Sequence, residues 1–275
     1  MNAETIQRQR SALAKLRDAY SDAQFLKSDP IEIPAGFSDP GDVEIAAFLS
    51  AMFAYGNVTS IRSFLHALLA ELGPGPRNRL IKGRLKTELY YRFQTATDIS
   101  SLLNGLGKLI KTGGGLESHF GQQGMQLRDR IAHFQLALAS SIGRPLSRGL
   151  THLIGDPTAK SAQKRYCMYL RWMVRSEFPD FGLYRSFSPR DLIVPLDLHV
   201  ARMAKNLGWS SKDGSTWANA ETITRSLRIL NPPDPLQVDF PLTRPGILGL
   251  CKSRYLPTCE SCEVRTCCQI YSRHA

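Results

Sequence analysis

The apolar residues of this chain recur at the spacing of helices, and the alternation typical of strands is scarce. The clearest case is the segment 195–209, whose apolar positions Leu196, Val200, Met203 and Leu207 are four, three and four residues apart. This spacing is that of an amphipathic helix with one buried face. Other segments have the same character, so we expect an all-α fold.

Asp197 stands at the start of this predicted helix, just before its apolar register begins. A carboxylate there can cap backbone N–H groups and interact favourably with the positive helix end. Gly208 is expected to end the helix. Because aspartate is a common capping residue, the segment alone leaves two interpretations of Asp197 open, a helix cap and a functional carboxylate.

The net charge narrows the classes of partner. The chain has 35 lysines and arginines against 24 aspartates and glutamates, a balance of +11. Such an excess favours polyanions such as nucleic acid or anionic lipid.

The longest nearly unbroken apolar run, 45–55, is shorter than the roughly 20 residues that cross a bilayer, so no membrane partner is expected. No signal peptide is recognisable, which predicts a cytoplasmic protein.

Breaker residues and charge divide the first third of the chain. Residues 27–41 hold three prolines and two glycines, which predicts an extended connector, after which Asp42 is placed to cap a helix. Residues 77–92 carry six basic residues and one acidic residue. This basic stretch is either a phosphate-contacting surface or a solvated helix face.

A second helix is predicted over residues 161–174, with Ser161 as its N-cap. Its apolar residues cover most of the circumference, so we expect it to be buried. Nevertheless, Lys164 and Arg165 lie in its first turn, where positive charge costs about 0.3–1 kcal/mol when exposed. This unfavourable placement indicates a functional lysine, such as an amine nucleophile; the alternative is a surface lysine that flanks the helix.

Five of the six cysteines lie in the last 25 residues. Cys251, Cys259, Cys262 and Cys268 follow the pattern C-x7-C-x2-C-x5-C, and four thiolates so spaced can converge on one centre. The pattern predicts a [4Fe–4S] cluster or, alternatively, structural zinc, since both accept four thiolates. Cys267 is then the spare thiol.

Taken in order, three features resemble the helix-hairpin-helix DNA glycosylase superfamily, in particular its iron–sulfur branch typified by endonuclease III. They are Lys164, the Asp-x-His-x-x-Arg segment that starts at Asp197, and the cysteine ladder. Within the superfamily the chain is most similar to an uncharacterised family built on a domain of unknown function. Two departures stand out: the first cysteine gap is one residue longer, and only Gly155 remains where the superfamily has a Leu-Pro-Gly-x-Gly hairpin.

The resemblance implies a two-lobed helical fold, with one domain over 42–175 that includes the modified hairpin and a second over 1–41 plus 176–275 that carries the cluster loop. It implies Lys164 as the nucleophile and Asp197 as the activating carboxylate. The residues that it implies for DNA contact are Gly155, Lys160, Arg165, Arg171, Arg175 and His199.

The implied function is that of a monomeric repair glycosylase that excises a damaged base from double-stranded DNA, with an associated AP-lyase step through a Schiff base. The protein would be cytoplasmic and associated with the nucleoid. Two alternatives stay open: a nonenzymatic iron–sulfur or zinc protein that binds nucleic acid on a glycosylase-like scaffold, and a structural zinc protein with an unrelated partner.

Overall fold

The computed structural model describes residues 1–143, 145–212 and 214–274, and in these ranges it consists of helices and loops with two isolated β-bridges. The all-α prediction is therefore confirmed. The α-helices of the described residues are α1 (Ala3–Tyr20), α2 (Pro40–Met52), α3 (Val58–Leu72), α4 (Pro76–Lys82), α5 (Ala96–Gly113), α6 (Leu127–Ile142), α7 (Arg148–Ile154), α8 (Lys164–Val174), α9 (Leu198–Asn206), α10 (Trp217–Leu230), α11 (Asp239–Ile247) and α12 (Gln269–Ser272). Among the described residues, no helix combines the length and the apolar character needed to span a membrane.

The segment before α2 is compact, so the prediction of an extended connector over 27–41 is wrong. It forms short 3-10 turns at Pro30–Glu32 and Pro34–Gly36. Ile31, within the first turn, and Ile33, between the two turns, are buried. Each proline occupies the first position of its turn, where its fixed φ suits a helical start and its missing N–H is not needed. The breakers therefore shape the segment without extending it.

Helix α2 begins three residues earlier than the sequence pattern predicted. Asp39 is its N-cap, and its side chain accepts hydrogen bonds from the backbone N–H groups of Gly41 and Asp42. Pro40 fills the first helical position, which proline favours. Asp42 lies in the first turn and accepts the N–H of Arg77 at 2.8 Å, which joins α2 to α4.

The helix contacts fall into two groups. In the first group α2 packs against α4 and α8, and α5 packs against α4 and α6. In the second group α1 packs against α10, α11 and the 3-10 turn Arg265–Cys267, and α11 packs against α9. The buried apolar side chains form one continuous cluster through both groups. The division into domains at residues 42 and 175 stays a prediction.

Two arginines of α8 are buried in ion pairs. Arg171 pairs with Asp239 (Nη1 to Oδ2, 2.7 Å) and with Asp180 (Nη2 to Oδ1, 3.1 Å). Arg175 pairs with Asp180 and with Asp234 (Nε to Oδ2, 2.9 Å). Arg171 and Arg175 are only 4% and 3% exposed, so the prediction that they flank DNA phosphates is corrected: both guanidinium groups are buried and paired with carboxylates.

We expect Asp180→Ala to destabilise the protein strongly, because it removes the carboxylate that two buried guanidinium groups share. Breaking a buried pair costs roughly 3–5 kcal/mol, and the lower end applies because Asp239 and Asp234 remain. Urea unfolding measures the loss. Asp18→Ala is the matched control, since it breaks the exposed pair with Arg17 and should change stability little. Equal effects of the two variants would contradict a structural role for the buried network.

Candidate active site

Lys164 and Asp197 meet in the structure. Lys164 is the first residue of α8 and Asp197 is the N-cap of α9, and the distance from Nζ to Oδ2 is 3.3 Å. Their side chains are 36% and 23% exposed, so the pair is neither sealed in the core nor fully solvated. The two residues that the sequence pattern singled out are therefore close enough to exchange a proton.

The backbone before Lys164 turns sharply and fixes where α8 begins. Gln163 has a φ of +50°, in the left-handed region that non-glycine residues rarely adopt, at a cost of order 1 kcal/mol or more. Its side chain is held by Gln135 (Nε2 to Oε1, 3.2 Å). The predicted N-cap, Ser161, forms an isolated bridge with Thr216 instead, which is why the helix starts two residues later than expected, with Gln163 as its N-cap.

The two oxygens of Asp197 have different partners. Oδ1 accepts the N–H groups of His199 and Val200, both at 2.9 Å, which confirms the predicted helix cap. Oδ2 faces Lys164. The cap locks the orientation of the carboxylate, and the positive end of α9 favours its charge. The two interpretations left open by the sequence are therefore compatible, because each uses its own oxygen.

The pair lies where two cavities adjoin. The first, which we call the Trp172 cavity, has a volume of about 360 Å³ and is lined by Met168, Trp172 and Asp239 among others. The second, the Tyr55 cavity, has a volume of about 710 Å³ and includes Tyr55 and Arg165 in its lining. The residues that line both cavities are Ala54, Gly56, Lys164, Asp197 and His199. A ligand can therefore reach the amine and the carboxylate from either side.

An aromatic and basic group stands at the Tyr55 cavity. The rings of Tyr55 and Phe93 are stacked 6.4 Å apart, and the guanidinium of Arg165 lies 5.4 Å from the Tyr55 ring centre. Arg165 also donates to the carbonyl of His152 at 2.6 Å, and burial lowers its pKa. Burial lowers the pKa of His152 as well, and Arg165 and Arg92 add to that effect. The charged form of His152 is therefore disfavoured, and arginine supplies positive charge to this group.

The remaining residues predicted to contact DNA lie around the pair. Gly155 ends α7 with a φ of +83°, and Lys160 is exposed on the loop that leads to α8. His199 lies one residue beyond Leu198, with its ring against Gly246, where an added Cβ would be 2.5 Å from Nδ1. Burial lowers the pKa of His199, while the nearby Asp197 opposes that shift. Contact of these three residues with DNA stays a prediction.

Sequence reasoning missed the contribution of α11 to the site. Asp239 and Arg244 line the Trp172 cavity from this helix, and both are almost completely buried. Arg244 donates to Asp29 at 2.7 Å, which brings the segment before α2 to the same cavity. The available signal was the sequence 238–242, where a single charged residue is set among apolar ones.

The cysteine ladder follows α11 and surrounds two 3-10 turns, Pro257–Ser261 and Arg265–Cys267. Within the described ranges, no three His, Cys, Asp or Glu side chains are gathered as ligands of a metal ion. The thiols are nevertheless close enough to affect each other: burial first, then neighbouring cysteines including Cys268, raises the pKa of Cys251. Thiols are the side chains that iron–sulfur clusters and zinc prefer, and the cluster stays a prediction.

Two substitutions separate the capping role of Asp197 from its charge. An asparagine side chain at this position would accept the same two backbone N–H groups, so Asp197→Asn should change the free energy of unfolding by only a few tenths of a kcal/mol, whereas Asp197→Ala should cost about 1 kcal/mol. Urea unfolding checks both, with Asp39→Ala at the start of α2 as a control for loss of an equivalent cap. If Asp197→Asn were as harmful as Asp197→Ala, the ion pair rather than the cap would carry the stability.

Comparison with known proteins yields one family match. The match covers residues 29–248 and is to a family described as protein of unknown function (DUF2400). The matched segment includes Lys164 and Asp197 and ends before Cys251. No curated protein and no solved structure matches the chain. By this match over most of its length, the chain belongs to the DUF2400 family.

Proposed function

We propose that the protein is a DNA glycosylase that removes a damaged base from double-stranded DNA and then cleaves the strand through a Schiff base. The observation that carries the proposal is the 3.3 Å contact of Lys164 with Asp197 at the junction of two cavities. An accessible amine beside an oriented carboxylate is the arrangement that nucleophilic catalysis by lysine requires. The resemblance to the helix-hairpin-helix glycosylases supports the same roles.

The first step is proton transfer followed by attack. Asp197 Oδ2 takes a proton from the Lys164 ammonium, and the freed amine forms a bond to C1′ of the nucleotide as the bond from C1′ to the base breaks. The base leaves with the electron pair and takes a proton from solvent. Positive charge develops on the sugar as the bond breaks, and the bond that the amine forms to C1′ offsets it.

Strand cleavage follows from the covalent intermediate. Proton loss from the attached nitrogen and opening of the sugar ring give an imine between Lys164 and C1′, which is protonated as an iminium. The iminium makes the C2′ protons acidic, and loss of one of them expels the 3′ phosphate. Water then hydrolyses the imine and releases the lysine, so the enzyme is regenerated.

The surface around the pair suits a DNA strand. The net charge of +11 favours a polyanion, and the Tyr55 cavity presents Arg165 beside stacked aromatic rings. Phe93 is 58% exposed, and aromatic side chains of this kind stack on unpaired bases. The target base must leave the helix to reach Lys164, at a cost of a few kcal/mol that is least for a damaged or mismatched base.

In this proposal the cysteine ladder holds a [4Fe–4S] cluster, with structural zinc as the alternative. Cys251, Cys259, Cys262 and Cys268 would be the ligands. When bound, the centre would cross-link the C-terminal loop. This loop packs against α1 through the turn Arg265–Cys267. The reacting groups, Lys164 and Asp197, lie on other elements, so the centre takes no part in bond breaking.

Borohydride trapping tests the proposed chemistry. Wild-type protein incubated with a duplex that carries one abasic site should form a stable covalent adduct when the imine is reduced. Lys164→Ala should lower the adduct by at least about 100-fold, the scale of a lost catalytic group. Lys111→Ala, which removes an exposed lysine of α5, is the matched control and should leave the adduct unchanged. Absence of an adduct with wild type would favour the nonenzymatic nucleic-acid-binding alternative, and an undiminished adduct in Lys164→Ala would assign the chemistry to another amine.

Metal analysis of anaerobically purified protein tests the ladder. We expect a brown protein that contains iron and acid-labile sulfide, and loss of both in Cys262→Ser, because a thiolate ligand is removed. Cys267→Ser serves as the control at the spare position and should retain the colour. A colourless protein with one bound zinc ion would support the zinc alternative and reject the cluster.

A further inference from the structure

Several residues that line the Trp172 cavity carry a buried polar atom that lacks a hydrogen-bond partner in the part of the chain that the structure describes. Four such atoms belong to residues that line it: Arg171 Nε, Trp172 Nε1, His199 Nδ1 and Asp239 Oδ1. Most buried polar groups in proteins are paired, and an unpaired one costs about 1–3 kcal/mol. Several unpaired polar atoms on residues that line one cavity indicate that a polar ligand supplies their hydrogen-bond partners.

Trp172 differs from the other two tryptophans. The indole N–H of Trp209 donates to Gln9 at 2.9 Å, and that of Trp217 donates to Glu221 at 2.8 Å. Trp172 is fully buried in α8, and its N–H has no acceptor among the described residues. Because an indole nitrogen can only donate, the missing partner must be an acceptor.

Asp239 offers the complementary group. Its Oδ2 accepts from Arg171 at 2.7 Å, while its Oδ1 is buried and unpartnered within the described ranges. The ionised carboxylate is an acceptor only, so the group that it lacks is an N–H or O–H donor. Arg171 fixes the carboxylate in place, which makes its free oxygen a directional acceptor.

The rest of the lining combines apolar side chains with Asp29, Thr243 and Arg244. Val58, Ile61, Met168 and Pro195 contribute apolar surface, and the volume of about 360 Å³ lies at the lower end of the range for ligand pockets. A few fixed polar groups in an apolar pocket orient a ligand and discriminate among ligands. A small aromatic heterocycle combines the shape, the donor and the acceptor that this cavity lacks.

We propose that the Trp172 cavity receives the extruded base, with Trp172 Nε1 donating to a carbonyl oxygen or ring nitrogen and Asp239 Oδ1 accepting from an N–H of the same base. Trp172 and Asp239 are then specificity-determining residues for a nitrogen heterocycle that presents both groups. The Tyr55 cavity on the other side of Lys164 is left for the sugar and phosphates. This inference rests on the proposed function, which supplies the reaction at the shared junction.

The test compares Trp172→Phe with wild type on two kinds of DNA. Duplexes that carry a single uracil, hypoxanthine or 8-oxoguanine offer a C=O beside an N–H, whereas an abasic-site duplex offers no base. Trp172→Phe should reduce excision of the accepted base about tenfold, as expected for one hydrogen bond, and leave borohydride trapping on the abasic duplex within about twofold of wild type. Trp209→Phe removes an equivalent indole away from both cavities and should leave both readouts unchanged.

Asp239→Asn is the second variant, since it keeps the size of the side chain and an oxygen for Arg171 while replacing the carboxylate. Asp239→Asn should likewise lose base excision and keep borohydride trapping. Circular dichroism reports whether this variant folds. If it does not fold, the comparison of Trp172→Phe with wild type decides.

The outcomes separate the inference from the proposed function. Excision by Trp172→Phe at the wild-type rate overturns the inference, as does an equal loss of excision and trapping, which would mean that Trp172 only supports the fold. A wild-type protein that traps the abasic duplex but excises none of the three bases also overturns it. A wild-type protein that neither traps nor excises overturns the proposed function, and the inference with it.

Discussion

The convergence of two helix N-termini, with the carboxylate of Asp197 between them, is the constraint on which the site depends. A lysine at the start of α8 faces the positive end of its own helix, which is unfavourable, and the start of α9 adds a second positive end. Asp197 offsets both, because one oxygen caps α9 and the other pairs with Lys164. A single carboxylate therefore serves both helix N-termini, as the cap of α9 and as the partner of Lys164.

The geometry of this meeting is set by contacts deeper in the protein. Arg171, two turns after Lys164, is paired with Asp239 at the start of α11, and α11 packs against α9. The buried arginines thus link α8 to the helix that supports Asp197. These two roles explain the unusual composition of α8. Its first residue, Lys164, faces the cavities, whereas Arg171 and Arg175 form ion pairs with residues of other elements.

Local sequence signals were sufficient for part of this arrangement. The apolar spacing of 195–209 and the position of Asp197 predicted α9 and its cap, because both depend only on neighbouring residues. The start of α8 was misplaced since Ser161 pairs with Thr216, which lies far along the chain. Arg171 was assigned to DNA contact for the same reason: the spacing of α8 carries no information about Asp239. The start of α2 is different, because Asp39 followed by Pro40 is itself a local signal for a helix start.

The unpartnered N–H of Trp172 belongs to a third kind of feature, which becomes visible only when every buried polar group has been matched with its partners. Trp172 lines the same cavity as Lys164 and Asp197, and all three residues are within the segment of the DUF2400 family match. A crystal structure of the borohydride-reduced complex with abasic-site DNA tests the central claim most directly. The account predicts a covalent bond from Lys164 Nζ to C1′, with Asp197 beside it; a bond from any other amine, or DNA bound away from both cavities, would contradict it.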